Sequence, residues 1–285
     1  MQIPSATCFF HAPTGTKIHF TQTGNPNGPL IVLLHGLGGS TQTFQSLLPF
    51  LSPEINRLIS VDLEGFGQTT LSSPDTTLSI PRYVDNLEYL VATLQKPDGS
   101  PPRGKITIIG HSLGAIIAMH YACKHPNQIR GLALLGPGRS IAHIPAARER
   151  MLGLAVTTRK EGIQAAADTA AISNFPLMGG VAPETRQVVR EAVASCEPEV
   201  YAKTCEAIAG LDHLDPQYSS IAAPTLLLAG GGDVISPPER SIALAELIGD
   251  NAWVQILDGV GHQMILQDLN GSVEAIRGLL KKSES

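Results

Sequence analysis

A β-branched run, Ile106-Thr107-Ile108-Ile109, meets Gly110-His111-Ser112-Leu113-Gly114 and passes at once into small, helix-forming residues from Ala115. A short, continuous apolar run of this kind reads as a strand buried on both faces. A helix that starts immediately after it leaves room for only one sharp turn. G-x-S-x-G in that setting describes a turn that strains its central residue and lifts the side chain above the sheet edge. Gly110 and Gly114 permit the close backbone approach that such a turn needs. The lifted residue is Ser112, whose hydroxyl is a nucleophile if a base stands beside it. A strand buried on both faces also demands partners, because a parallel sheet must be covered by helices above and below.

The remainder of the chain supplies them. Short apolar runs at residues 7–10, 17–23, 30–34, 58–61, 106–109, 132–135, 225–229 and 253–257 predict strands. Helical patterns are predicted at 42–48, 80–94, 113–124, 239–248 and 264–281, and the Pro- and Gly-rich stretch 96–104 reads as a surface loop. Between residues 142 and 209 the alternation stops, and only helical segments remain, at 146–157, 159–171, 183–195 and 198–210. The expected fold class is therefore α/β, with a mostly parallel central sheet, helices on both faces and an inserted helical lid. The expected division is a core of residues 1–137 and 216–285 with a helical cap at 138–215. Such a cap would cover the carboxyl edge of the sheet, where open α/β sheets bind ligands.

Composition removes several function classes. Hydrophobic residues make up 43% of the chain and charged residues 16%, which suits a buried core rather than disorder. The net charge is −5 without long runs of one sign, and aromatics are 5%, so neither a nucleic-acid surface nor a base-stacking platform is expected. Cys8, Cys123, Cys196 and Cys205 show no zinc-type pairing and no disulfide framework. No His/Cys/Asp group has metal-ligand spacing, and no G-x-G-x-x-G follows the first strand. No metal and no cofactor are expected. Residues 1–11 lack a signal-peptide pattern, no apolar run approaches the roughly 20 residues of a membrane helix, and Lys281-Lys282-Ser283-Glu284-Ser285 is not a peroxisomal tripeptide. These features predict a cytoplasmic protein with no membrane span. They specify neither a monomer nor a homodimer.

A serine nucleophile requires a base, and the base an orienting carboxylate. Asp233 follows the strand at 225–229, and His262 follows the strand at 253–257. Both belong to the strand edge that carries Ser112. Asp212 and Asp215 are weaker alternatives for the acid. Asp233 could instead simply cap its own loop after three glycines, and His262 could be an ordinary loop histidine. For an oxyanion the candidate donors are the backbone N–H groups of Leu113, next to Ser112, and Leu37, in His35-Gly36-Leu37-Gly38-Gly39-Ser40. Pocket candidates are His35, Gly36, His111, His143, Met151, Phe175 and Met178, with His35 also read as a buried structural histidine that fixes the oxyanion loop. Asp62 reads as the organiser of its own Gly-rich loop.

H-G-L-G-G-S, V-D-L-E-G-F-G, G-H-S-L-G-A, G-G-G-D-x-x-x-P-P and G-x-G-H occur in this order between about Thr16 and Leu280. In these landmarks the chain resembles the α/β-hydrolase superfamily, and within it the 3-oxoadipate enol-lactonase-like and small carboxylesterase branch. It departs at Glu64, where that family's loop usually carries arginine, and in having its single tryptophan, Trp253, outside the expected cap. The resemblance implies a serine hydrolase that acts on a small ester or lactone through Ser112, Asp233 and His262. A biosynthetic enzyme using the same triad for lactonisation, acyl transfer or C–C bond hydrolysis is one alternative. A slow-turnover ligand-binding receptor of the same fold is another.

Overall fold

The computed structural model describes residues 4–95, 104–177 and 180–284. Eight strands form one sheet: β1 (Ser5–His11), β2 (Lys17–Gly24), β3 (Leu30–Leu34), β4 (Arg57–Val61), β5 (Ile106–His111), β6 (Ile129–Leu135), β7 (Thr225–Gly230) and β8 (Ala252–Leu257). Their order across the sheet is β1-β2-β4-β3-β5-β6-β7-β8. β2 runs antiparallel to β1 and β4, and the other neighbours are parallel. Each predicted strand lies within an observed one. β3, β5 and β7 are buried along their whole length, as continuous apolar runs require.

Strand alternation divides the core into two layers. Val32 and Leu34 point to one face, while Ile31 and Leu33 point to the other. The first layer receives α1 (Ile80–Gln95), α2 (Leu113–Lys124) and α7 (Pro238–Ile248). The second receives α9 (Leu269–Lys282) together with Phe44, Leu47, Leu48 and Leu51. Between β6 and β7 lie α3 (Pro145–Glu161), α4 (Ile163–Ser173), α5 (Pro183–Ala194) and α6 (Pro198–Ala209). Proline opens three of these helices, where its missing N–H costs nothing. α3 packs on α6 and α4 on α5, and Arg159 of α3 binds both Glu199 and Glu206 of α6.

Three predicted elements change. The helix expected at 42–48 is instead two 3₁₀ turns, Thr41–Phe44 and Leu48–Phe50. A capping box at Ser40 opens the first, and Pro49 interrupts any continuation. The single helix expected at 264–281 divides at Asp268 into α8 (Met264–Gln267) and α9, because the Asp268 side chain accepts from Gly271 N–H at 2.8 Å and caps a new start. Residues 159–161 belong to α3, which stops at Gly162 with φ +85°. Of the loop expected at 96–104, residues 96–103 lie outside the described residues.

Candidate active site

The turns after β5, β7 and β8 converge at the carboxyl edge of the sheet. Ser112 joins β5 to α2 with φ +51° and ψ −111°, and its N–H donates to the Leu135 carbonyl at 2.9 Å. A non-glycine residue at positive φ is strained, and here its neighbours on both sides hold it there. A Cβ on Gly114 would stand 2.1 Å from the Leu34 carbonyl oxygen, and one on Gly110 2.5 Å from that of Gly114. The tight crossing of β3, β5 and α2 therefore admits no side chain at either glycine.

Asp233 follows β7, and His262 follows β8. Asp233 Oδ2 accepts from His262 Nδ1 at 2.7 Å, and Oδ1 accepts from the N–H groups of Ile235 and Ser236 at 2.8 Å each. Burial alone pushes the Asp233 carboxyl up. The His262 ring and the two backbone donors more than offset it, so the group sits below the usual carboxylate range. With Nδ1–H committed to Asp233, His262 presents Nε2 as an acceptor. Its backbone is fixed as well. His262 N–H donates to the Asn174 carbonyl at 2.9 Å, and Gln263 Nε2 donates to Asn174 Oδ1 at 2.7 Å. His111 Nε2 donates to the His262 carbonyl at 2.9 Å, and the two rings lie 4.8 Å apart. Burial, helped by the neighbouring His262, pushes the His111 imidazole down to about 3, which keeps it neutral.

Of the alternative acids, Asp215 is taken up by Arg139, Ser140 N–H and Tyr218 Oη. Asp212 is exposed. Asp233 is the carboxylate hydrogen-bonded to His262.

A cavity of about 700 Å³ opens between this edge and α3–α6. Ser112, His262, Leu37 and Leu113 line it, as do Gly36, His111 and Met151. Leu113 is the first residue of α2, so its N–H has no partner within the helix. His35 lies elsewhere. Its Nε2 accepts from Leu63 N–H at 3.0 Å, which leaves Nδ1–H to donate to the Gly36 carbonyl at 2.7 Å. Burial keeps that ring neutral too, and it serves as a strut beneath the glycine loop. His143 is exposed on the segment before α3. Phe175 is buried against the Gly261 backbone and under the Arg186 guanidinium. Met178 lies outside the described residues. Asp62 organises its loop by accepting from Gln68 N–H at 2.8 Å, and it also holds Thr41 N–H and His19.

The charged side chains of the cavity wall, Arg139, Arg150 and Arg240, all escape sequence reasoning. They are far apart in the chain and form no motif. The available signal was positional, since Arg240 lies in the first turn of the helix after the Asp233 loop and Arg139 follows the end of β6.

Residues 25–269 match the family model described as "Serine aminopeptidase, S33". Over 270 residues the chain is 24% identical to 2-hydroxy-6-oxo-6-(2'-aminophenyl)hexa-2,4-dienoic acid hydrolase of Metapseudomonas resinovorans, covering 89% of this chain and 83% of that protein. The thermophilic esterase of Thermogutta terrifontis superposes with a TM-score of 0.84 at 25% identity, over 98% of this chain and 100% of the other. The enol-lactonase of Burkholderia xenovorans LB400 shares the fold, with a TM-score of 0.80 at 24% identity over 96% and 100% of the two chains.

Proposed function

Because the chain belongs to the serine aminopeptidase S33 family of α/β-hydrolases, we propose that it cleaves a carboxylic ester or lactone through an acyl-enzyme on Ser112. The observation that carries this reading is a strained Ser112 that lines the same cavity as His262, whose Nδ1 is held by Asp233. His262 Nε2 takes the hydroxyl proton as Ser112 Oγ bonds to the carbonyl carbon. The N–H groups of Leu37 and Leu113 hold the oxyanion. Collapse expels the alkoxide, which leaves with the proton from His262. Water then gives a proton to His262 and attacks the acyl carbon, and the acid departs as Ser112 Oγ regains its proton.

In the same reading residues 138–215 act as a cap over a core of 1–137 and 216–285, so that α3–α6 choose the substrate. Cleavage of amino-terminal residues, which the family description suggests, requires a carboxylate to receive the substrate ammonium. Among the described residues that line the cavity there is no Asp or Glu. That favours an ester or lactone.

The test is labelling with a fluorophosphonate probe together with turnover of p-nitrophenyl acetate. Wild type should label and turn over. Ser112→Ala should lose labelling and about 10⁴-fold or more in kcat, the scale at which serine hydrolase triads fail. Near-normal turnover by Ser112→Ala would remove the covalent mechanism. Folded wild type that neither labels nor turns over would favour the receptor reading.

A further inference from the structure

The charge of the cavity is opposite to the charge of the chain. The protein carries a net −5, yet the ionic side chains among the described lining residues are Arg139, Arg150 and Arg240. Its remaining wall is mostly aliphatic, with Met151 and Leu154 from α3 and Val189 and Val193 from α5. An acidic protein that concentrates cations in an apolar cavity has placed them against its own average.

The three arginines are not equivalent. Arg139 is committed, because its Nε donates to Asp215 Oδ2 at 2.9 Å and its Nη2 binds the same oxygen. Among the described residues Arg139 pairs with Asp215, whereas neither Arg150 nor Arg240 makes an ion pair. Arg240, in the first turn of α7, donates from Nη1 to the Ile235 carbonyl at 3.0 Å, which fixes the head group without neutralising it. Asp233, whose charge acts on Arg240, already accepts from His262, Ile235 and Ser236. Arg240 is half-buried, and burial weakens its hold on the proton, as do the charges of Arg139 and Arg150. A guanidinium stays charged regardless. A partly desolvated cation beside two others is costly until an anion completes it. Arg150, exposed on α3, lines the same cavity, and its charge acts on Arg240.

We propose that Arg240 and Arg150 form an anion subsite that receives a carboxylate borne by the substrate at a distance from its scissile ester. This rests on the esterase reading and narrows it to ester-acids, with an aliphatic chain along the α3 and α5 wall and a carboxylate at the arginine end. The guanidinium fork matches a carboxylate geometrically, and one such charge-assisted contact is worth roughly tenfold or more in affinity. Neutral esters of the same length leave the arginines unfilled.

The experiment compares mono-p-nitrophenyl adipate with its methyl ester, which has the same chain and no charge. Wild type should favour the acid by about tenfold or more in kcat/KM, mostly through KM, and added salt should narrow the ratio. Arg240→Gln should bring the ratio close to one, Arg240→Lys should keep part of it, and Arg150→Gln should lower it. Thermal melts of each variant check that it folds. A neutral ester turned over as well as or better than the acid, or a ratio unmoved by Arg240→Gln, overturns the subsite and leaves the esterase reading intact. If neither ester is turned over, adipate itself is the probe. A rise in melting temperature in wild type but not in Arg240→Gln then supports the subsite while the esterase reading falls, and no rise in wild type overturns the subsite.

Discussion

The geometry around Ser112 depends on the absence of single methyl groups. A Cβ at Gly114 would press on the Leu34 carbonyl at 2.1 Å and on that of His35 at 2.8 Å. The obstacles are backbone atoms, so the sheet edge and the elbow must move together. Gly114→Ala is expected to cost about 10²-fold or more in turnover, since near-ångström misplacement of reacting groups has that effect, and to lower the melting temperature. Gly153 in α3 has nothing within 4 Å of its would-be Cβ, so Gly153→Ala should stabilise by about 0.4–1 kcal/mol. A urea titration of both variants checks the contrast, and equal effects would mean that the close approach at Gly114 is not tight. The proximity of Asp233 and His262 was legible because each follows a strand directly and strand ends place residues well. The strut role of His35 was legible as one of two readings, but the burial of Phe175 was not, since chain position does not say where a ring turns. His35 turns inward because Leu63 N–H is buried and needs an acceptor.

At the scale of elements, the departure at Glu64 is a compensated exchange. Glu64 is buried with no exposed side-chain surface, and Arg82 of α1 approaches it from Nε at 2.7 Å and Nη2 at 2.8 Å. Asn86 Nδ2 adds a bond at 2.8 Å. The positive charge absent from the loop is supplied by the neighbouring helix, which ties α1 to the turn after β4. Arg82→Met should therefore cost about 3–5 kcal/mol, because it strands a buried carboxylate. Arg82→Met combined with Glu64→Gln should recover part of that loss, as read from denaturant midpoints. If the single variant were as stable as wild type, water would have to reach Glu64 in the fold. Strands were the most readable elements because their apolar runs are continuous. Helix ends were less so: Asp268 and Ser40 cap through side-chain bonds, and those compete with a helical pattern that a periodicity argument sees as unbroken.

Over the whole molecule, three buried imidazoles and one half-buried one set a common response to acid. Burial lowers His35, His111, His120 and His213 below the ordinary 6.5, His111 to about 3 and His120 to about 4. Below pH 6.5 the unfolded chain takes up protons that the folded one refuses, so stability falls as the pH drops through that window. Asp215 and Asp233, depressed below 3.8, add a second loss as the pH falls through their folded values. Urea midpoints should decline from pH 6.5 toward 4, and His120→Gln should flatten the decline. A level profile in wild type would mean that these rings are hydrated. None of this collective behaviour was visible in the chain, where the histidines are scattered and only packing gathers His120 and His213 to 5.8 Å. The hydrogen bond from His262 N–H to the Asn174 carbonyl has a consequence of its own. Asn174 directly follows α4, part of the roof of the cavity, so a swing of that roof outward takes a partner from the histidine backbone. Passage of ligand and readiness for chemistry would then exclude one another in time. Because that acceptor is a main-chain carbonyl, no side-chain change at Asn174 removes it, and Asn174→Ala takes away only the Oδ1 that accepts from Gln263 Nε2.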